Sequence, residues 1–376
     1  MHSHQLKALV FLAWLIPNYL PIAAVAEDST PISGLMDRER IQLHGYLTQA
    51  FAESTDLGVN GIPTNGTSEY RNLALQLRLQ TSDQSNFVVQ LSHEAVGDSP
   101  AADLNDEVEL DWAFYEYRLP SDTALRFGRI AIPFGIYNEI RDVGTLLPFF
   151  LPPQTLYSEG IFANETVDGL TVSHSFFGSS GWGLDTSLFY GEWEVKQFLT
   201  LNTAEVQDAF GIQLWLETPI PGVRLGAAGR TGNYEGLDGT ATGESVTFND
   251  YLFSVEAELD KVTARAEMIR LDFGTGATVE SGYVQLGFRV FDRLALFLSS
   301  ETSNLIRSSG AKTDFTDDVA FSVSYSVKPN FIVRLEHHWY EGFNLDDIPD
   351  DYLLRFGLTN EPYKTQYSVL SIATSF

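Results

Sequence analysis

Apolar and polar residues alternate with a period of two over most of the chain. In the stretch RNLALQLRLQ, the leucines Leu73, Leu75, Leu77 and Leu79 fall on one face, and polar residues such as Arg78 fall on the other. Successive side chains of a β-strand point to opposite faces of the sheet, whereas a helix would mix these residues. The same pattern recurs along the sequence and predicts about 16 strands, the last at the C-terminus.

Short and long connections alternate between the predicted strands. Seven connections are tight and rich in Pro, Gly, Asp, Asn and Ser, the residues that form turns. This alternation is typical of outer-membrane barrels, which have short periplasmic turns and longer external loops. The predicted long connections cover residues 52–71, 95–107, 133–167, 191–206, 232–249, 271–281, 302–317 and 341–365.

The apolar strand face has two interpretations, because it can pack inside a soluble sandwich or face lipid. The alternating connections, the charges on the opposite face and the Tyr and Phe near strand ends favour lipid. A sheet in hydrocarbon must close, since every backbone donor needs a partner. Residues 43–376 are therefore predicted to form an all-β, 16-stranded antiparallel transmembrane β-barrel. A soluble β-sandwich is the alternative. The last strand should pair with the first, with Leu370, Ile372 and Phe376 facing lipid.

The N-terminus has the features of a secretory signal peptide. Lys7 precedes an apolar run, and the small residues of the stretch 24–26 precede Glu27. A membrane-anchoring helix is the alternative, but Pro17 and Pro21 interrupt the run, which such a helix needs at about 20 residues. Residues 1–26 are predicted to be the signal peptide and residues 27–42 a periplasmic segment.

The composition limits the possible partners and chemistry. Lys and Arg total 23 and Asp and Glu total 50, so the formal net charge of −27 makes nucleic acid a poor partner. The chain has no cysteine, which excludes disulfides, thiolate metal sites and a cysteine nucleophile. Acidic groups such as Asp314, Asp317 and Asp318 fall in predicted external loops. They could bind Ca²⁺ or bridge to lipopolysaccharide, or simply be solvated.

The longest connection, residues 133–167, has an unusual composition for an exposed loop. It holds four prolines and the apolar run Phe149, Phe150 and Leu151, which is unfavourable in open water. The wide lumen of a 16-stranded barrel can hold such a segment. The third external loop is therefore predicted to fold inward and narrow the channel.

The strand order, the stretch GRIAIPFG at residues 128–135 and the terminal Phe376 resemble Gram-negative trimeric porins, closest to phosphate-selective porin-like proteins. This resemblance implies a trimer, a constriction formed by the third external loop, and Glu139, Arg141 and Asp142 as eyelet residues. It also implies that the barrel assembly machinery recognises Phe376. The family's lysine ladders are missing, because the lysines after the signal peptide fall in turns or loops, so phosphate selectivity does not follow. These lysines are Lys196, Lys261, Lys312, Lys328 and Lys364.

Charged side chains on the predicted inner faces are the candidate pore residues. The alternation slips near Gly128, which affects the facing of Arg129. Both signs are equally represented, so the inner charges do not decide ion preference, and any one of them can instead be a cross-paired wall residue. The residues predicted to line the pore or its constriction are Arg78, Arg126, Arg129, Glu139, Arg141, Asp142, Arg224, Arg265, Arg289, Arg334 and Glu336.

These features predict a porin through which small hydrophilic solutes or ions diffuse, in an outer membrane containing lipopolysaccharide. No cofactor, metal site or catalytic residue is predicted, and no G-x-S-x-G or H-E-x-x-H motif is present. The neighbouring His337 and His338 must face opposite sides of their strand, so at most one is lumenal. A barrel plugged by its own loop, acting as an adhesin or surface receptor, has the same sequence features and remains the alternative.

Overall fold

The computed structural model describes residues 40–97, 108–158, 165–178, 180–196, 203–236, 244–342 and 363–376. The chain divides into two units, Met1–Ile41 and Gln42–Phe376. The predicted signal peptide, residues 1–26, lies outside the described residues, as does nearly all of the predicted periplasmic segment. Both remain predictions.

The second unit is a single closed β-sheet. Sequential strands pair with each other in antiparallel fashion and β1 lies beside β16, which confirms the predicted 16-stranded antiparallel barrel. The strands are β1 (Ile41–Ser54), β2 (Thr67–Ser82), β3 (Ser85–Val96), β4 (Glu109–Leu119), β5 (Thr123–Ala131), β6 (Thr166–Phe177), β7 (Gly183–Lys196), β8 (Thr203–Glu217), β9 (Val223–Glu235), β10 (Ser245–Glu258), β11 (Val262–Phe273), β12 (Thr278–Phe291), β13 (Leu294–Ile306), β14 (Lys312–Lys328), β15 (Phe331–Gly342) and β16 (Tyr363–Ser375).

The chain end completes the closure of the barrel. Tyr46 pairs with Ser375, and beyond them the Gly45 amide donates to the Phe376 carbonyl at 3.1 Å while the Phe376 amide donates back at 3.0 Å. The Phe376 ring is 70% exposed and lies over Gly45, where a Cβ atom would come within 2.3 Å of it. The predicted pairing of the last strand with the first, and the outward position of Phe376, are therefore confirmed.

The two faces of the sheet differ in the way a membrane barrel requires. Leu335 on β15 is 53% exposed, whereas the next residue, Glu336, is 2% exposed. The same contrast recurs on other strands, where exposed apolar side chains such as Leu77, Phe253 and Leu286 face outward. A single sheet closed on itself, with an apolar exterior, is not a two-sheet soluble sandwich. Within the described residues, no helix is long and apolar enough to span a bilayer.

The seven tight turns lie where the sequence predicts them, but the strands extend into every predicted long loop, and two of these loops are reduced to five residues or fewer. Only residues 274–277 connect β11 to β12, and only residues 307–311 connect β13 to β14. The polar ends of these strands continue the hydrogen-bonded ladder, and alternation cannot distinguish such ends from loops. Asp314, Asp317 and Asp318 therefore belong to β14, and the prediction that they form an acidic loop cluster is wrong.

Candidate functional site

The segment that follows β5, residues 132–158, contacts inner-face side chains on distant strands; we call it the loop 3 segment. The Ile136 amide donates to Glu267 of β11 at 3.0 Å, and the Thr155 amide and hydroxyl both donate to Glu301 of β13 at 3.2 Å. Strand β13 is eight positions from β5 in the ring. The segment contains a 3-10 turn, Asn138–Ile140, and one short helix, α1 (Gln154–Tyr157).

Apolar packing accompanies these hydrogen bonds. Ile136 and Leu156 of the loop 3 segment share one buried cluster with inner-face residues of β7, β10 and β11, namely Phe189, Leu252 and Ile269. Burying such side chains contributes about 1.5–3 kcal/mol each. Sequence reasoning missed this cluster because it assigned the inner face to charged residues. A signal was present, since parts of these strands are apolar on both faces.

Two tyrosines of the loop 3 segment end in a buried polar network. The Tyr157 hydroxyl donates to Glu267, which also accepts a 2.8 Å hydrogen bond from Tyr283. The Tyr137 hydroxyl donates to Gln285 at 2.5 Å and accepts from Arg265 at 3.1 Å. Burial raises the pKa of Tyr137 and of Tyr157, and the nearby Glu267 carboxylate raises the pKa of Tyr157 further. Both phenols are therefore neutral at physiological pH.

Three arginines surround one carboxylate on the inner face of β2, β4 and β5. Glu116 lies 3.3 Å from Arg78, 2.8 Å from Arg118 and 3.0 Å from Arg126. Arg126 is also 3.5 Å from Glu139 of the loop 3 segment. These five residues line a cavity of about 190 Å³. The structure thus brings together the predicted Arg78, Arg126 and Glu139. It adds Arg118, which is not among the predicted pore residues although it lies two residues from Glu116 on β4.

A larger cavity of about 1230 Å³ lies between the loop 3 segment and the short-turn end of the barrel. Five predicted pore residues line it: Glu139, Arg224, Arg265, Arg289 and Arg334. The Arg224 guanidinium pairs with Glu256 at 2.6 Å and lies 4.1 Å from the centre of the Trp215 ring. Arg289 is exposed and forms no ion pair among the described residues. A charged wall of this kind favours water over a packed core.

Arg334 borders the larger cavity, as predicted, but neither Arg334 nor Glu336 is appreciably exposed to pore water. Arg334 is 1% exposed, and its guanidinium donates to loop carbonyls. Glu336 is 2% exposed and lies 3.5 Å from His338. The period-two pattern places both side chains on the inner face correctly, but it does not show that the loop 3 segment covers them.

Arg129 faces outward, so its assignment to the pore is wrong. It shares the phase of the exposed Leu125 and Phe127, and its side chain is 42% exposed. Its guanidinium makes two hydrogen bonds to Asp168, of 2.9 and 2.7 Å. The strand pairing runs through Gly128 without a shift, so the slip inferred there does not move Arg129 to the inner face.

The two other predicted eyelet residues are held by polar contacts. Asp142 accepts hydrogen bonds from Asn72 at 3.2 Å and from Gln90 at 3.1 Å. Arg141 donates to the Tyr157 carbonyl at 2.9 Å. Both residues fasten the loop 3 segment to itself or to the wall, and Asp142 is buried.

One group of carboxylates among the described residues has spacing suited to a metal ion. Ligand atoms of Asp111, Asp142 and Glu165 lie within 4.8 Å of one another. The Gln90 amide donates to Asp111 at 2.6 Å as well as to Asp142, so it already bridges two of the three carboxylates. A cation bound here would have to displace that amide.

The adjacent histidines face opposite sides, as predicted. His338 lies on the inner face, 2.7 Å from Asp318, and stacks on Tyr367 with ring centres 4.2 Å apart. His337 forms a 2.9 Å hydrogen bond with Ser368 on the other face.

Comparison with known proteins shows the fold. No protein-family model and no curated protein matches the chain. Three solved structures are similar, each over 89% of this chain. OmpF of Salmonella typhi, in complex with daunomycin, has a TM-score of 0.63 and 15% identity over 97% of its chain. An anion-selective porin from Comamonas acidovorans has a TM-score of 0.57 and 9% identity over 99% of its chain. OmpT of Vibrio cholerae, an outer-membrane protein in a trimer form, has a TM-score of 0.54 and 12% identity over 99% of its chain.

Proposed function

We propose that this chain is an outer-membrane porin that lets small hydrophilic solutes or ions diffuse passively across the membrane. The observation that carries the proposal is the combination of a closed apolar-faced barrel with a water-accessible, charged interior beside the loop 3 segment. The apolar exterior fits lipid, and a charged interior fits water. The fold shared with OmpF and the anion-selective porin supports the same function.

The loop 3 segment narrows the channel in this proposal. Its hydrogen bonds to inner-face side chains of β11 and β13, which lie far from its own strands, support this role. Arg78, Arg126 and Glu139 border the narrow part, while Arg224 and Arg289 line the wider space toward the short turns. Selection is then by diameter and fixed charge, without any catalytic step.

The charges at the narrow part favour anions. Arg78, Arg118 and Arg126 contribute three positive charges, against the negative charges of Glu116 and Glu139, which leaves an excess of one positive charge. A fixed positive charge beside a narrow passage lowers the energy of anions there and raises that of cations. The resemblance to phosphate-selective porin-like proteins stays an expectation, because no lysine belongs to this cluster.

The barrel is proposed to assemble as a homotrimer in the outer membrane, next to lipopolysaccharide. The trimer form of the structurally similar OmpT supports this. Recognition of Phe376 by the barrel assembly machinery is proposed from its terminal position and exposed ring.

Single-channel recording in planar bilayers tests the function. The protein without its predicted signal peptide should conduct, and its channels should open in groups of three, as expected for a trimer. Replacement of residues 135–158 by a short Gly-Ser linker should raise its conductance. Replacement of residues 236–244, another long connection, by the same linker is the control and should leave the conductance unchanged. A folded barrel that is silent with and without residues 135–158 would contradict the porin function.

A silent wild-type barrel that conducts only after the replacement would instead establish the plugged barrel. The apolar cluster between the loop 3 segment and β7 to β11 is the observation that favours this alternative.

A further inference from the structure

Arg334 is a fully buried cation whose partners are backbone carbonyls of the loop 3 segment. From the inner face of β15, its guanidinium donates to the carbonyls of Gly144 at 3.0 Å, Leu147 at 2.5 Å and Phe149 at 3.2 Å. Its Nε atom donates to the Ser324 hydroxyl on β14 at 3.2 Å. One side chain thus joins three points of the loop to the barrel wall.

These carbonyls need donors that the loop itself does not supply. Residues 144–149 form no helix or strand, so their carbonyls lack the regular backbone partners of such elements. A buried carbonyl without a donor is destabilising, because it loses its hydrogen bonds to water and gains none in return. The Ser322 hydroxyl donates to a fourth loop carbonyl, that of Pro148, at 2.9 Å. Two neighbouring side chains on β14 and β15 therefore satisfy four loop carbonyls.

The chemistry of arginine suits this role and that of lysine does not. A guanidinium carries five donors in a rigid planar fork, whereas an ammonium is a compact point charge on a flexible stem. The side chain borders the larger cavity but is 1% exposed, so its guanidinium has almost no direct contact with water or permeating ions. The nearby Glu336, on the same face and 2% exposed, supplies a negative charge in the same buried region.

We propose that Arg334 is a positioning residue: it fixes residues 144–149 against the wall and thereby sets the aperture of the channel, rather than acting as a filter charge. This inference rests on the proposed function in one respect, namely that the loop 3 segment narrows the passage.

The first test compares Arg334 with Arg289, which is an exposed arginine on the wall of the larger cavity. Arg334→Lys and Arg334→Met should both raise single-channel conductance at least about twofold, because conductance follows the narrowest cross-section. Both should also admit larger neutral sugars in liposome swelling, and Arg334→Lys, which keeps the charge, should leave the reversal potential unchanged. Arg289→Met should shift the reversal potential, and Arg289→Lys should not. A wild-type-like Arg334→Lys, with a shifted reversal potential in Arg334→Met, would identify a filter charge and overturn the proposal.

A reversible crosslink separates release of the loop from general misfolding. The chain has no cysteine, and a Cβ built on Gly144 lies 3.2 Å from the Thr48 Cβ. This is close to the spacing of about 3.5–4.5 Å found in disulfides. In an Arg334→Met chain that also carries Thr48→Cys and Gly144→Cys, oxidation should restore the lower conductance and reduction should raise it again. Equal conductance in the oxidised and reduced forms would contradict the proposal.

A second readout does not depend on conduction. In the refolded barrel in detergent, trypsin should cleave after Arg141 faster in Arg334→Met than in wild type, and oxidation of the cysteine pair should suppress the difference. A barrel that does not conduct but is cleaved faster in Arg334→Met would contradict the porin function and support the positioning role of Arg334. A conducting barrel in which Arg334→Met changes neither the cleavage rate nor the conductance would contradict the positioning role alone.

Discussion

Arg126 and Arg129 form a natural matched pair, because they lie three residues apart on β5 with opposite facing. Arg126 points inward, 3.5 Å from Glu139, whereas Arg129 points outward and pairs with Asp168. Arg126→Gln and Arg129→Gln remove the same charge from the same strand. Only the first change should alter ion selectivity, in the direction of cations.

The size of the effect follows from Coulomb's law. An ion kept about 6 Å from the guanidinium by one layer of water changes in energy by about 0.7 kcal/mol when one charge is removed. At 0.1 M salt, with a Debye length of about 10 Å, screening reduces this to about 0.4 kcal/mol. The permeability of cations rises and that of anions falls, each by about 1.9-fold, so the cation-to-anion permeability ratio rises about 3.5-fold. At 1 M salt the Debye length of about 3 Å leaves a rise of only about 1.4-fold.

The assay is the reversal potential across a bilayer with a fixed salt gradient, measured at a low and a high mean salt concentration. Three results would refute the reasoning: no shift for Arg126→Gln at low salt, an equal shift at both concentrations, or an equal shift for Arg129→Gln. The last result would mean that the outward facing of Arg129 is wrong.

Three further predictions follow from the same contacts. Glu116→Gln should shift selectivity toward anions by a similar factor, measured as above, and an unchanged reversal potential would place the cluster outside the ion path. Burial raises the pKa of Tyr157, whose protonated phenol donates a hydrogen bond to Glu267 and so stabilises the loop. This stabilisation is fully present below about pH 10, the pKa of an exposed tyrosine, and is lost as the pH rises through the raised pKa of Tyr157. Conductance should therefore be constant from pH 7 to 10 and rise above, with the rise absent in Tyr157→Phe. Deletion of Phe376 removes the last contacts with Gly45 and should lower the heat-modifiable, folded fraction on gels, whereas Phe376→Tyr should keep it; equal folded yields for all three proteins would contradict this role.

The barrel itself could be predicted because its determinants are local. Alternation is a property of neighbouring residues, and the exposed Leu335 next to the buried Glu336 shows that it assigns faces correctly. Closure followed from the need to pair every backbone donor, and the Gly45 and Phe376 hydrogen bonds fulfil it. The strand ends were less predictable, because a polar ladder such as the start of β14 has the composition of a loop.

The site was less predictable because its contacts join residues distant in sequence. The hydrogen bond from Arg334 to Gly144 spans 190 residues, and the bond from Ile136 to Glu267 spans 131. The period-two pattern assigns Arg334 to the inner face but says nothing about what covers it. For Arg129 the wrong prediction has a local cause, since Gly128 indicates a break in the alternation although the strand pairing continues through it.

The inner face of β11 changes character along the strand, and this change explains how the loop 3 segment is held at one level of the barrel. On β11, the inner-face residues after the short turn are charged, Arg265 and Glu267, and those that follow are apolar, Ile269 and Leu271, both of which are buried in the cluster shared with the loop. Arg265 lines the water-accessible space, Glu267 accepts hydrogen bonds from the loop, and the apolar residues pack against the loop. Sixteen strands enclose more volume than their own side chains fill, so the apolar part needs another segment to cover it. Ile136, Leu147 and Leu156 of the loop 3 segment supply that cover. The buried donors on β14 and β15 satisfy the backbone of the segment.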